Sequence, residues 1–166
     1  PLTPICYLMF AAAGGLLAIL FLLAVLGQAN GAAFEMVVLL AMASAWGVKL
    51  VWWQLAGAEG SGSTLASATG LGSLGTVRSI MPPHTSENYL QHEMGFVVAR
   101  KHAAQLRLIA LGLGGGVPCL LVIIDAASVI GLGIALVAHI AGVFVERWLF
   151  FAEAKHTVSL YYGQQH

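Results

Sequence analysis

Four apolar runs, at about residues 4–26, 34–55, 103–124 and 129–152, leave little else in a chain of 166 residues. A helix needs about 20 mostly apolar residues to cross the hydrocarbon core of a bilayer. The first run carries no charge, and the third carries only Arg107 near one end. No alternating strand pattern appears, and an open sheet cannot cross a bilayer, because its edge would leave backbone groups without partners. The expected fold is therefore all-α: a polytopic transmembrane helix bundle with four spans in one membrane domain covering residues 1–166.

Composition excludes the soluble alternative. Charged residues make up 8% of the chain and apolar ones 59%, whereas soluble domains carry about 25% charged residues. A soluble fold would have almost nothing charged to place on its surface. The formal net charge is zero, so nothing points to nucleic acid or another polyanion. Cys6 and Cys119 both lie inside apolar runs and read as small packing residues rather than a disulfide or a metal pair. The chain begins Pro-Leu-Thr-Pro and enters a span almost at once, without a basic segment or a small-residue cleavage site. This is not a signal peptide, and we expect a portion of a longer chain.

The connections are unequal. Gly27-Gln-Ala-Asn-Gly31 and Asp125-Ala-Ala-Ser128 are tight turns that make their flanking spans antiparallel neighbours. Residues 56–102 form a long loop, flexible in composition at first, with Thr85 or Ser86 placed to cap a helix from about Glu87 that feeds the third span. Four spans put this loop and both chain ends on one side. That side holds Arg78, Arg100, Lys101, Arg107 and Lys155, and the short turns hold no Lys or Arg. The positive-inside rule then makes the loop side cytoplasmic. Leu71, Leu74, Ile80, Met81, Tyr89 and Phe96 are apolar residues of the loop that need cover outside the bilayer, and with His84 they mark a docking surface for a partner.

Few motifs carry chemistry. Gly70, Gly72 and Gly75 spell GxGxxG, but no strand precedes them and no βαβ unit surrounds them, so they read as a turned loop rather than a dinucleotide site. Bis-histidine haem needs two ligands facing each other inside the bundle. His84 and His92 are in the loop, His102 is at the mouth of the third span, His156 lies past the fourth, and only His139 is well inside one. We expect no haem or metal on this chain.

The fourth span is different. His139, Gly142, Glu146, Phe150 and Glu153 share one helical face, with Arg147 at its edge. A charge at the bilayer centre costs about 2.5–3.5 kcal/mol, so this face points into protein. It reads either as a quinone or proton path or as a structural set of ion pairs, Glu146 with Lys49 and Arg147 with another carboxylate. Arg100-Lys101-His102 likewise reads as a topogenic anchor or as an attractor for a polar quinone head group.

Several segments share a likeness. Ala68-Thr-Gly-Leu-Gly-Ser-Leu-Gly75, Pro82-Pro-His-Thr-Ser-Glu-Asn-Tyr-Leu90, Glu93-Met-Gly-Phe96, Ala99-Arg-Lys-His102 and Glu146-Arg-Trp-Leu-Phe-Phe-Ala-Glu153, followed by His156 and Tyr161-Tyr162, stand in one order. The chain resembles the membrane anchor subunit of the dimethyl sulfoxide reductase type, including the anchor of cytoplasm-facing sulfite dehydrogenases. The likeness runs from the second span to the C-terminus, and Pro1-Leu-Thr-Pro4 fits the start of that family's fifth helix.

The resemblance implies an anchor of eight spans, here the last four, in the inner membrane of a bacterium. It implies an iron–sulfur subunit as direct partner and a molybdopterin catalytic subunit beyond it. It also implies electron exchange with ubiquinone or menaquinone, with the clusters and molybdopterin held by the partners. The family's quinone-contacting residues lie mainly in its other half, so none is carried over. The competing class is half of a transporter or channel, for which broken helices are expected; Gly112, Gly114 to Gly116 and Pro118 offer one such break in the third span. The histidine positions predict that the purified chain shows no haem Soret band, and that His139→Ala leaves its optical spectrum unchanged.

Overall fold

The computed structural model describes residues 2–28, 31–58, 64–78, 99 and 101–153. Helix α1 covers Leu2–Val25, α2 Ala32–Ala58, α3 Leu65–Thr69, α4 Ala103–Leu111, α5 Val117–Asp125 and α6 Val129–Ala152. A π-helical turn, Gly112–Gly116, joins α4 to α5 without interrupting the helix. Four helices are long and apolar enough to cross a membrane: Leu2–Val25, Ala32–Ala56, Ala103–Asp125 and Val129–Ala152. No strand occurs among the described residues. The chain is a multi-pass membrane helix bundle, and the observed spans match the expected ones to within two residues at nearly every boundary. The break that the transporter alternative would need in the third span is a bulge in a continuous helix. The helix expected from Glu87, its cap at Thr85 or Ser86, and the tail beyond Glu153 lie outside the described residues.

Local chemistry closes the turns. At the end of α1, Gly27 adopts φ 65°. Its N–H donates to the Ala24 carbonyl at 3.1 Å, and Gln28 N–H donates to the Leu23 carbonyl at 2.9 Å. This pair is the Schellman arrangement, which returns carbonyls of the last turn to hydrogen bonding. Before α6, the Asp125 carboxylate accepts from Ala127 N–H and the Ser128 hydroxyl accepts from Gly131 N–H, each at 3.1 Å. Ser128 thereby caps α6.

Helix α1 packs against α2 and α6, and α6 packs against both halves of the third span. The buried positions on α6 are Leu132, Ala135, His139, Gly142, Glu146, Leu149 and Ala152. Those on α1 are Cys6, Phe10, Ala13, Leu17 and Leu20. Both sets advance by steps of three and four, the seam of left-handed helix packing. The opposite faces expose large apolar side chains: Leu8, Leu108, Ile130 and Phe144 are each at least 71% exposed. Such a surface suits acyl chains and not water.

Where the third span crosses α6, only glycine fits. A Cβ on Gly142 would collide with the backbone of Gly114 and stand 2.8 Å from the Ala110 carbonyl. A Cβ on Gly114 would collide with the Trp46 ring, and one on Gly115 would lie 2.9 Å from it. Trp46 of α2 thus lies against the two glycines and meets Phe10 edge-on, with ring centroids 4.9 Å apart. With no hydrophobic drive between helices in lipid, this close approach supplies the dispersion contact that holds them together. Gly142→Ala is expected to destabilise the bundle by about 2 kcal/mol or more through overpacking. Gly15→Ala and Gly47→Ala, where a Cβ meets open space, are expected to be near neutral. Thermal unfolding in detergent separates the three.

Candidate functional site

One end of the bundle gathers most of the buried charge. It is the end toward residues 56–102: the last turns of α2 and α6 meet the first turns of α1 and α4 there. Helix α2 delivers Lys49, Trp52 and Trp53, α6 delivers Glu146, Arg147, Phe150 and Glu153, α4 delivers Arg107, and α1 delivers Thr3, Tyr7 and Phe10.

Glu146 is the hub. It is completely buried and paired with two cations: Oε1 with the Lys49 ammonium, itself 1% exposed, and Oε2 with the Arg147 Nε–H. Oε1 meets Lys49 as an ion pair rather than through an aligned hydrogen bond. Seven residues on, Glu153 accepts from Arg107 Nη2 at 2.7 Å in a pair open on one side, with Arg107 38% and Glu153 17% exposed. Among the described residues, three cations thus meet two carboxylates, leaving one positive charge in excess. Arg147 Nη1 and Arg107 Nε are buried and have no hydrogen-bond partner among the described residues.

Aromatic rings wall the cluster. The Lys49 ammonium is 3.8 Å from the Trp52 ring centroid and 5.4 Å from that of Phe150. The Arg147 guanidinium stands 4.0 Å from Tyr7 and 5.6 Å from Phe150, and Arg107 is 5.4 Å from Trp53. Trp52 donates its indole N–H to the Thr3 hydroxyl at 3.2 Å. Ring quadrupoles and carboxylates together replace the water these cations lack.

The sequence-based site residues separate into groups. Glu146, Arg147 and Glu153 fall in this cluster, and the expected Lys49–Glu146 pair is present. Among the described residues Arg147 does not find a second carboxylate; it shares Glu146, its neighbour in sequence, and Glu153 goes to Arg107. His139 stands apart, its Nδ1 2.7 Å from the Gly114 carbonyl. His102 is exposed at the start of α4, its Nδ1 3.0 Å from Gln105 Oε1. Leu71 and Leu74 are 48% and 83% exposed beyond the short α3, which Thr64 and Ser67 cap reciprocally. Gly70 ends α3 in the left-handed region at φ 69°, so the glycine run serves a helix-ending turn. Ile80, Met81, His84, Tyr89, Phe96 and Arg100 lie outside the described residues. Sequence reasoning left Trp52, Trp53 and Tyr7 out of the site. Trp at a span end ordinarily marks the membrane interface, and nothing local says that these rings turn inward onto cations.

Among the described residues, no three His, Cys, Asp or Glu side chains converge as metal ligands. No family model, curated protein or solved structure matches the chain.

Removing one partner of a buried ion pair costs about 3–5 kcal/mol, because the remaining charge is stranded. Glu146→Gln strands two cations and Lys49→Gln relaxes one, so Glu146→Gln is expected to lower the melting temperature more. The double variant Lys49→Met with Glu146→Met is expected to be less damaging than the two single effects combined. Arg107→Gln, at a part-exposed pair, is expected to cost about 1 kcal/mol or less.

Proposed function

We propose that this chain is the C-terminal half of the membrane anchor of a quinone-linked molybdopterin oxidoreductase, of the sulfite dehydrogenase or dimethyl sulfoxide reductase type. In this role it passes electrons between an iron–sulfur subunit and ubiquinone or menaquinone in the inner membrane of a bacterium. Support comes from the resemblance of segments spread from the second span to the C-terminus. The observation that carries the proposal furthest is the aromatic, cation-rich cluster at the loop-side end of the bundle. A quinone head group is a flat ring with two carbonyl acceptors, and a site for it needs apolar walls and a few convergent donors. Tyr7, Trp52, Trp53 and Phe150 are walls of that kind, and Arg147 Nη1 and Arg107 Nε are buried donors without a hydrogen-bond partner among the described residues. Electron transfer to a quinone draws two protons with two electrons. The excess positive charge among the described residues favours the reduced, electron-rich side of that exchange, and Glu153, part-open at the surface, is placed to hand protons on.

The iron–sulfur subunit docks on residues 56–102, on the side that the basic residues of the loop make cytoplasmic. The exposed Leu71 and Leu74 suit such a contact. The transporter alternative is the weaker one, because the third span is bulged at Gly112–Gly116 but continuous.

Purification of the native chain from mildly solubilised membranes tests the proposal. The expected companions are one large molybdopterin protein and one ferredoxin-like protein carrying iron–sulfur clusters. A chain that purifies without either overturns it. In the intact complex, Arg107→Gln is expected to raise the quinone KM about tenfold, the loss of roughly one charge-assisted hydrogen bond, without loss of subunits.

A further inference from the structure

The π turn and the buried His139 form one device, and its cause is Pro118. In an α-helix the Gly114 carbonyl would accept from residue 118, but proline has no N–H, and its ring crowds that carbonyl. Inside a bilayer no water can take the missing donor's place. The chain answers in two ways. Gly112–Gly116 widens into a π turn, with Val117 N–H donating to the Gly112 carbonyl five residues back. His139 of α6 then sets its Nδ1 2.7 Å from the Gly114 carbonyl. Because a carbonyl only accepts, Nδ1 is the donor. The ring reaches this place because α1 has no side chain at Gly14, where a Cβ would lie 3.2 Å from Nε2.

The turn also sets rotation. Ala110, Gly114, Pro118 and Val122 are all buried, at steps of four residues. An undisturbed α-helix drifts about 40° per four-residue step, or about 120° from Ala110 to Val122. The extra residue of the π turn takes back about 100°, which returns both halves of the span to one face. Arg107 lies in the half that is rotated.

We propose that His139 is a positioning residue. By donating to the Gly114 carbonyl, whose α-helical donor Pro118 cannot supply, it holds the π turn, and the turn sets the rotation of α4 that brings Arg107 onto Glu153. The link runs from mid-membrane to the charged cluster at the membrane face. It rests on helix geometry alone and stands whether or not a quinone binds.

A nitroxide scan of residues 104–111 in the full chain reads the rotation through collision with oxygen, which concentrates in lipid. Wild type is expected to give a maximum at Leu108 and a minimum at Ala110, which are 71% and 0% exposed. His139→Leu is expected to displace that pattern by one residue and to lower the melting temperature by several degrees. His139→Asn, whose amide N–H replaces Nδ1–H, is expected to restore both. Adding Pro118→Ala to His139→Leu returns the missing backbone donor, and is expected to restore the melting temperature but not the rotation. An unchanged pattern in His139→Leu would mean that His139 only fills space. If His139→Leu does not assemble, nitrogen-15 solid-state NMR of the wild-type imidazole decides. Protonation at Nδ1 sustains the proposal, and protonation at Nε2 with a bare Nδ1 overturns it.

Discussion

Inside a bilayer a polar group has no solvent to fall back on, and a buried charge is costly unless the protein supplies its partner. The pairing of Lys49 with Glu146 is the sharpest case here. Both side chains are at most 1% exposed, and Lys49 without Glu146 would be a stranded charge. The pair ties α2 to α6, and Arg147 and its ring contacts bring in α1. Glu153 draws in α4 through Arg107. All four spans are thus joined by one polar system at a single end of the bundle.

Toward the other end the helices meet through small residues and apolar side chains. Gly142 against Gly114, with Trp46 laid over Gly114 and Gly115, is contact by shape, with no charge involved. The two regions divide the work. The glycine crossing brings the helices close enough for dispersion to hold them. The charged end decides which helix faces which, because a wrong rotation would leave ions in lipid. His139 lies about one turn beyond Gly142 from the charges and belongs to the first, since its hydrogen bond serves the backbone of the π turn.

Such a division suits a protein that handles charge at a membrane face. Among the described residues the cluster has one cation more than it has carboxylates, and two buried donors, Arg147 Nη1 and Arg107 Nε, have no hydrogen-bond partner beside aromatic walls. A structural ion-pair network and a binding site for an electron-rich ring need the same ingredients. They differ in whether donors remain, and here they do. Lys49 and Glu146, both buried, have the features of a structural pair, and Arg107 and Glu153 are part-open at the surface.

The amino-acid sequence by itself determined the spans, because bilayer thickness sets a length that a run of apolar residues must meet. It determined the inward face of α6, because ionisable residues at steps of three, four and seven cannot face lipid. It also contained the Lys49–Glu146 pair, since two opposite charges at matching depth have few other partners. The tertiary structure alone decided that Arg147 shares Glu146 while Glu153 takes Arg107. That choice depends on helix rotation, which hydropathy does not encode. It alone decided that Trp52 and Tyr7 turn onto cations, because an aromatic residue near a span end satisfies the interface equally well facing outward. And it decided that Gly112–Gly116 and Pro118 make a bulge and not a break: the donor that rescues the Gly114 carbonyl is 25 residues away on another helix, and only packing brings it there.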